Sequence, residues 1–281
     1  MKSGSGNAMS LRTKIVVTVF MVILTISFLY PLYFMTINSF KDTTAYYLNE
    51  FALPRVWDPA NYTILLGEFQ FLRYFKNSLF ISCVSTALVV LGAVIASYAF
   101  AKIRFRGRNV AYMAILTTMF LPGQATIIPQ YVMFSNYHLI NNHWSVILAY
   151  IASGIPGSIL LLRSAFVGIP DELLESARID GAGFFSTVFK IVIPVTTAAI
   201  AIQTIFSFIS YWNDMLTPML LLSNAEKQTV MVSLQQLFSR YGNYPTRQLA
   251  GLLLSVLPVL VLYLFLQKYM MKGMLVGSIK A

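Results

Sequence analysis

The chain has 281 residues, of which 57% are hydrophobic and only 11% charged, roughly half the charged share of a water-soluble globular domain, and this excludes an ordinary soluble fold. The net charge of +10 does not point to nucleic acid, because the Lys and Arg residues sit in short clusters at the ends of apolar runs, where membrane topology and anionic headgroups account for them. The lone cysteine, Cys83, lies inside an apolar run and rules out an intrachain disulfide framework or a cysteine metal cluster.

Taken in chain order, residues 1–14 form a polar N-terminal segment that includes the flexible Ser3-Gly4-Ser5-Gly6-Asn7. Lys14 then precedes an uncharged stretch, Ile15 to Ile37, too long for a signal-peptide core and without a small-x-small cleavage pattern, so it reads as a retained first span. Stretches free of Asp, Glu, Lys and Arg follow at 77–101, 110–133, 144–162, 191–213 and 249–267. Each is long enough to cross a hydrocarbon core of about 30 Å as a helix. The expectation is an all-α integral membrane protein: a six-helix transmembrane domain over 15–271, with a cytoplasmic loop at 164–190 and a tail at 272–281.

An even number of spans puts both termini on one side. That face would hold thirteen Lys and Arg against seven on the other, and translocated loops are depleted in these residues. Both termini are therefore expected in the cytoplasm of a cell whose inner membrane the chain spans. The two long loops on the outer face, near 38–76 and 214–248, are expected to cover an external partner, with Tyr46, Tyr47, Trp57, Tyr62, Tyr74, Tyr241 and Tyr244 as interfacial anchors or partner contacts.

Prolines at 31, 122, 129, 156, 194 and 258 bend or interrupt helices, which lipid tolerates only where protein or a cavity satisfies the freed carbonyls. No ionisable group lies inside the six stretches, whereas ion-coupled transport generally needs one. The chain also lacks a G-x-x-x-x-G-K-[ST] phosphate loop. Uphill transport powered by ATP would need a separate nucleotide-binding subunit.

The loop after the fourth stretch, Gly168-Ile169-Pro170-Asp171-Glu172-Leu173-Leu174-Glu175-Ser176-Ala177-Arg178-Ile179-Asp180-Gly181-Ala182-Gly183, has the features of a short amphipathic helix. Pro170 suits its first turn, Asp171 and Glu172 complement its positive start, and Gly181 ends it. Leu173, Leu174 and Ala177 form an apolar stripe, and Glu175 and Arg178 are spaced to pair. Four acidic residues against one Arg is the wrong sign for anionic lipid. A protein partner fits better, and the small residues Ala177, Gly181, Ala182 and Gly183 would permit close docking.

This segment resembles the EAA loop of binding-protein-dependent ABC importers, E-A-A-x-x-x-G, nine residues, then I-x-L-P. Here Glu175-Ser176-Ala177 is followed by Gly181 and, after nine residues, Ile191-Val192-Ile193-Pro194; Ser176 and Ile193 are the departures. Asn77-Ser78-Leu79, Ser97 to Ala101, Phe105-Arg106-Gly107-Arg108 and Trp212-Asn213-Asp214 extend the likeness to the carbohydrate-uptake branch, on the side similar to the second maltose-type permease. The resemblance implies the type I ABC importer permease fold and a non-enzymatic subunit forming half of a sugar or oligosaccharide pathway.

It also implies that Glu172, Glu175, Ser176, Ala177, Arg178, Asp180 and Gly181 seat in an ATPase subunit and that Gly277, Ser278 and Lys280 of the tail reach between the ATPases. The implied partners are a second permease, two ATPases that carry the ATP and Mg, and an extracytoplasmic solute-binding protein; this chain itself would hold no cofactor. Gln124, Gln130, Gln203, Trp212 and Asn213 are candidate sugar contacts, because amides pair with hydroxyls and aromatic faces stack on sugar rings. Their other reading is as interhelical hydrogen bonds or interface anchors. His138 and His143, at i and i+5, do not share a helix face and no metal is expected. An ABC permease for another solute, such as a glycerol phosphodiester, is the nearest alternative, followed by a secondary transporter or channel.

Overall fold

A computed structural model describes residues 10–278 except 241 and 243, with side chains left undescribed at 240 and from 272 onward. Within it Leu11–Ser39 (α1), Phe71–Lys102 (α4), His143–Val167 (α7) and Pro245–Ser278 (α14) are continuous helices long and apolar enough to cross a membrane. Two further apolar segments are bent pairs rather than single rods. Arg108–Thr117 (α5), extended by a 3-10 turn at Thr118–Phe120, meets Gly123–Asn136 (α6) at 99°. The segment Phe184–Val195 meets Thr197–Asn213 (α11) at 86°. The stretches at 110–133 and 191–213 are thus interrupted helices, as their prolines imply.

Local chemistry accounts for both breaks. Pro122 disfavours helical backbone at Leu121, which is extended with ψ 119°. The carbonyls near that break are met by side chains, Thr117 Oγ1 donating to Met113 O at 2.8 Å and Thr118 Oγ1 to Ile115 O at 2.6 Å. In the second case Phe184–Thr187 (α9) runs into a π turn at Val188–Val192 and a short helix, Ile193–Val195 (α10), before the bend at Thr196. At this bend too, threonine hydroxyls donate to nearby carbonyls: Thr196 Oγ1 to Val192 O at 2.7 Å, and Thr197 Oγ1 to the Ile193 and Pro194 carbonyls. Extra donors of this kind help satisfy backbone carbonyls where an apolar helix bends.

The structure divides into two compact units. One comprises residues up to Phe69 with Leu237–Leu254. It contains α1, Thr43–Leu48 (α2), Ala60–Leu66 (α3) and the adjoining parts of Val230–Arg240 and α14. The loop after α1 is ordered by polar ties: Lys41 Nζ donates to the carbonyls of Asn49 and Glu50, and Asn61 Nδ2 donates to those of Ser39 and Lys41. Phe40 packs on Trp57 and Tyr62, so these two aromatics serve the fold of the loop. Tyr241 lies outside the described residues. No residue in the apolar window of α1 is buried.

The second unit, Gln70–Gln236 with the chain from Ser255 on, is built on α4 packed against α7 and α11. Small residues bring the helices close, as is usual between membrane helices: Ser97 Oγ donates to Ile159 O at 3.2 Å, and Ala93 and Ser158 are buried. One apolar cluster joins Tyr98, Phe100, Tyr112, Ile159, Leu162, Phe166, Leu174, Val188 and Val192; another joins Ile81, Val89, Phe134, Ile147, Tyr150, Tyr211 and Leu221. The long connection after α11 is not an open loop. It folds into Leu216–Leu221 (α12), a 3-10 turn at Ala225–Lys227 and Val230–Arg240 (α13). Asn77 Nδ2 fastens the turn through the Glu226 and Gln228 carbonyls, and Ser78 Oγ accepts from Val230 N.

Candidate functional site

The acidic loop forms the helix Asp171–Ile179 (α8), with Pro170 as its N-cap and Asp171 and Glu172 in its first turn. Its end is a Schellman closure: Ala182 N donates to Ala177 O at 2.9 Å and Gly181 N to Arg178 O at 3.0 Å, with Gly181 at φ 78°. That backbone favours glycine, and a Cβ there would meet nothing within 4 Å. Leu174 and Ala177 are buried, Leu174 within the cluster that includes Phe166 and Val188. Glu172, Glu175, Ser176, Arg178, Ile179 and Asp180 are exposed.

Two expectations change here. Leu173 does not share the buried stripe, being 40% exposed. Glu175 and Arg178 form no ion pair among the described residues; Glu175 points outward instead. Ala177 faces the protein's own core, so it supports α8 from beneath and is not part of the exposed surface.

α8 is anchored by Lys102, the last residue of α4. Its Nζ donates to Ile169 O at 2.6 Å, to Asp171 Oδ1 at 2.7 Å and to Val167 O at 3.3 Å. One ammonium thus satisfies carbonyls at the end of α7 and holds the first residue of α8, joining three helices. The hydrogen bond and charge of Lys102 hold the Asp171 carboxyl below its ordinary pKa. Nearby, Arg163 lies over the Tyr112 ring at 4.3 Å and donates from Nε to Phe100 O, tying α7 to α4 and α5. Sequence spacing marked α8 itself; nothing in it marked Lys102, which lies 69 positions away from Asp171.

A second feature is a cleft of about 230 Å³ lined by Gln124 and Gln130 of α6, Tyr150 and Ser153 of α7, and Ser210 and Asp214 at the end of α11. Tyr150 and Tyr211 stack with ring centres 4.6 Å apart. Tyr150 donates its hydroxyl to Asp214 Oδ2 at 3.0 Å, and Asp214 Oδ1 accepts from Leu216 N at 3.0 Å. The close approach of α7 and α11 needs Gly154, where a Cβ would fall on Tyr211 Oη.

Of the polar residues singled out in the spans, the structure brings Gln124 and Gln130 to this cleft and not the others. Gln203 is buried, donating to Ser158 Oγ at 2.6 Å and Ser207 Oγ at 2.9 Å. Trp212 is 1% exposed, packs on Phe75 and Phe208 and spends its indole N–H on Ser255 O. Asn213 is exposed but does not line the cleft. Tyr150, Ser153, Ser210 and Tyr211 are cleft residues that sequence reasoning did not single out, and Asp214 entered it only within Trp212-Asn213-Asp214. In the tail, Gly277 and Ser278 fall in the last turn of α14, and Lys280 lies outside the described residues.

Residues 88–276 match the family described as the binding-protein-dependent transport system inner membrane component. Among individual relatives, the arabinooligosaccharides transport system permease protein AraQ of Bacillus subtilis (strain 168) is 31% identical over 95% of this chain and 96% of its own length. The maltodextrin transport system permease protein MdxG of the same organism is 30% identical over 95% and 96%. A crystal structure of a bacterial ABC transporter involved in the import of the acidic polysaccharide alginate superposes with a TM-score of 0.78, covering 96% of this chain and 99% of that one at 26% identity. With two thirds of its length matching the family and its helical bundle following an ABC importer permease throughout, this chain belongs to the binding-protein-dependent transport system inner membrane components, the permeases of ABC importers.

Proposed function

We propose that the chain is one of two permeases of an ATP-driven oligosaccharide importer, forming half of the pathway and receiving force through α8. The observation that carries this reading is the seating of α8: an exposed acidic face on a helix fixed by Lys102 to the ends of α4 and α7. A helix whose first residue is tied to the ends of two spans transmits a push to them instead of absorbing it. Glu172, Glu175, Ser176, Arg178, Asp180 and Gly181 are the contact surface for an ATPase subunit, with Ala177 and Leu174 fixing the helix from behind.

On this reading the six apolar segments cross the membrane, the two bent pairs counting as one span each, with both termini cytoplasmic. ATP and Mg are bound by two separate ATPase subunits, whose closure draws the α8 helices of both permeases together and opens the pathway outward. Hydrolysis resets it. The exposed apolar α1 supports a second membrane chain or lipid as its neighbour. The names of the relatives AraQ and MdxG support an oligosaccharide substrate. A structure of an alginate transporter in complex with an alginate pentasaccharide-bound periplasmic protein, alike in fold with a TM-score of 0.66, supports an external solute-binding partner. The C-terminal residues Gly277, Ser278 and Lys280 are proposed to reach the ATPases.

The test is co-purification of the assembled complex and substrate-stimulated ATP hydrolysis with Glu175→Ala and Gly181→Asp. The latter adds a charge at the rim of α8 and strains its positive-φ closure, while Glu175→Ala alters the exposed face alone. Loss of ATPase docking or of stimulation in correctly inserted variants is expected. Full stimulated activity in both would make α8 a lipid-surface helix.

A further inference from the structure

We propose that the cleft between α6, α7 and α11 is a subsite for a neutral sugar ring, and that Asp214 makes it discriminate against uronic-acid and phosphorylated sugars. The proposal rests on the reading of the chain as an oligosaccharide permease and specifies its substrate chemistry.

The cleft combines three features that suit a polyhydroxyl ligand. The first is a carboxylate: Asp214 is fixed by Tyr150 and the Leu216 amide, one donor on each oxygen, which leaves lone pairs on both oxygens for further donors. Hydroxyls supply donors; carboxylates and phosphates do not. The second is a pair of amides, Gln124 and Gln130, opposite the carboxylate on a different helix. Gln130 Nε2 reaches Thr126 Oγ1 at 3.2 Å, while Gln124 and Ser210 are exposed without a partner among the described residues. An amide both donates and accepts, as a sugar hydroxyl does. The third is the Tyr150 and Tyr211 stack at its side, locked by Tyr211 Oη donating to Tyr150 O at 3.3 Å.

Charge decides the specificity. No Lys or Arg lines the cleft, so an anionic sugar there would face Asp214 with no compensating cation, and like charges in such proximity disfavour binding. The volume fixes the scale: about 230 Å³ is below the usual 300–1,000 Å³ of a complete small-molecule pocket. It accommodates one ring of a longer chain, the remainder lying against other surfaces of the pathway. The location is also apt. The cleft sits directly beside the Pro122 break, with Gly123 and Gln124 in its wall, where irregular backbone at membrane depth belongs against protein or a water-filled cavity.

The experiment is equilibrium binding to the purified permease–ATPase complex without its solute-binding protein, so that the external protein cannot impose its own selectivity. The probes are neutral malto- and arabino-trisaccharides and a uronate trisaccharide. The native complex is expected to favour a neutral probe over the uronate roughly tenfold or more. Asp214→Asn should weaken the neutral sugar and narrow the ratio, and Gln124→Lys, at an exposed position, should shift the ratio toward the uronate. Ser210→Trp, which fills the cleft from an exposed site, should abolish binding of both. Unchanged affinities and ratio in Gln124→Lys and Ser210→Trp overturn the subsite while leaving the oligosaccharide reading in place, provided the native complex binds a sugar. Binding of none of the probes by a native complex whose ATPases remain docked overturns the oligosaccharide reading and the subsite with it.

Discussion

Lys102 Nζ and Asp171 Oδ1 lie 2.7 Å apart, and the same ammonium donates to the Ile169 carbonyl. The Lys102 side chain is nearly enclosed, whereas Asp171 is largely in water. The lysine is therefore the structural member of the pair. Lys102→Met should uncouple substrate binding from ATP hydrolysis while the complex still assembles, since a carbonyl left without its donor costs about 1–3 kcal/mol and the start of α8 is freed. Asp171→Asn, which retains a polar group, should do much less. Equal effects of the two in a stimulated ATPase assay would refute this ranking.

The same pair sets a pH dependence. Lys102 lowers the folded-state pKa of Asp171 relative to the unfolded chain, so its contribution to stability is complete above the ordinary carboxylate pKa. It is lost as the pH falls through the lowered folded value. Protection of the α8 amides, measured as exchange relative to the intrinsic rate at each pH, should fall in the native chain in that acidic window. Asp171→Asn should lack this component of the response.

At Gly154 the expected effect is steric. A Cβ would collide with Tyr211 Oη and come within 3.3 Å of Val89 Cγ1, and the Tyr211 ring cannot swing away without leaving Tyr150. Gly154→Ala should lower stability by about 1–3 kcal/mol, the usual range for overpacking. Thermal unfolding in detergent measures it, and Gly157→Ala, whose Cβ would meet only a methionine methyl at 3.7 Å, is the tolerant control.

Gln203 provides a test of the division between packing and pathway. Gln203→Leu should cost about 1 kcal/mol, typical of hydrogen bonds between membrane helices, because its amide joins Ser158 and Ser207. The transport KM should not move. A raised KM with unaltered stability would place Gln203 on the substrate route.

Much of the fold was legible because lipid imposes a strong rule: spans must be apolar for about twenty residues, and α1, α4, α7 and α14 obey it plainly. The bends at Pro122 and near Pro194 were only half legible. Proline marks a break, but the size of the bend is set by packing between helices distant in sequence, which local residues do not reveal. The acidic helix was readable because its cap, stripe and glycine are local. Its anchor was not, because Lys102 reaches α8 from another helix. The cleft was harder still. Gln124 and Trp212 look equally suited to a sugar in sequence, and only packing separates an exposed amide from an indole enclosed by Phe75 and Phe208. Asp214 stood just past the end of an apolar stretch, where a charge usually marks a boundary, and its role depends on Tyr150, 64 positions earlier.

The unburied apolar window of α1 bears on how the protein is made. α1 leaves the ribosome before the other spans, and none of its apolar window is buried in the folded chain. Its insertion therefore needs no burial within this chain, and it can enter the bilayer before any tertiary contact exists. The chain is tethered to the membrane while the proline-broken segments, which need neighbours to satisfy their backbone, are still being synthesised.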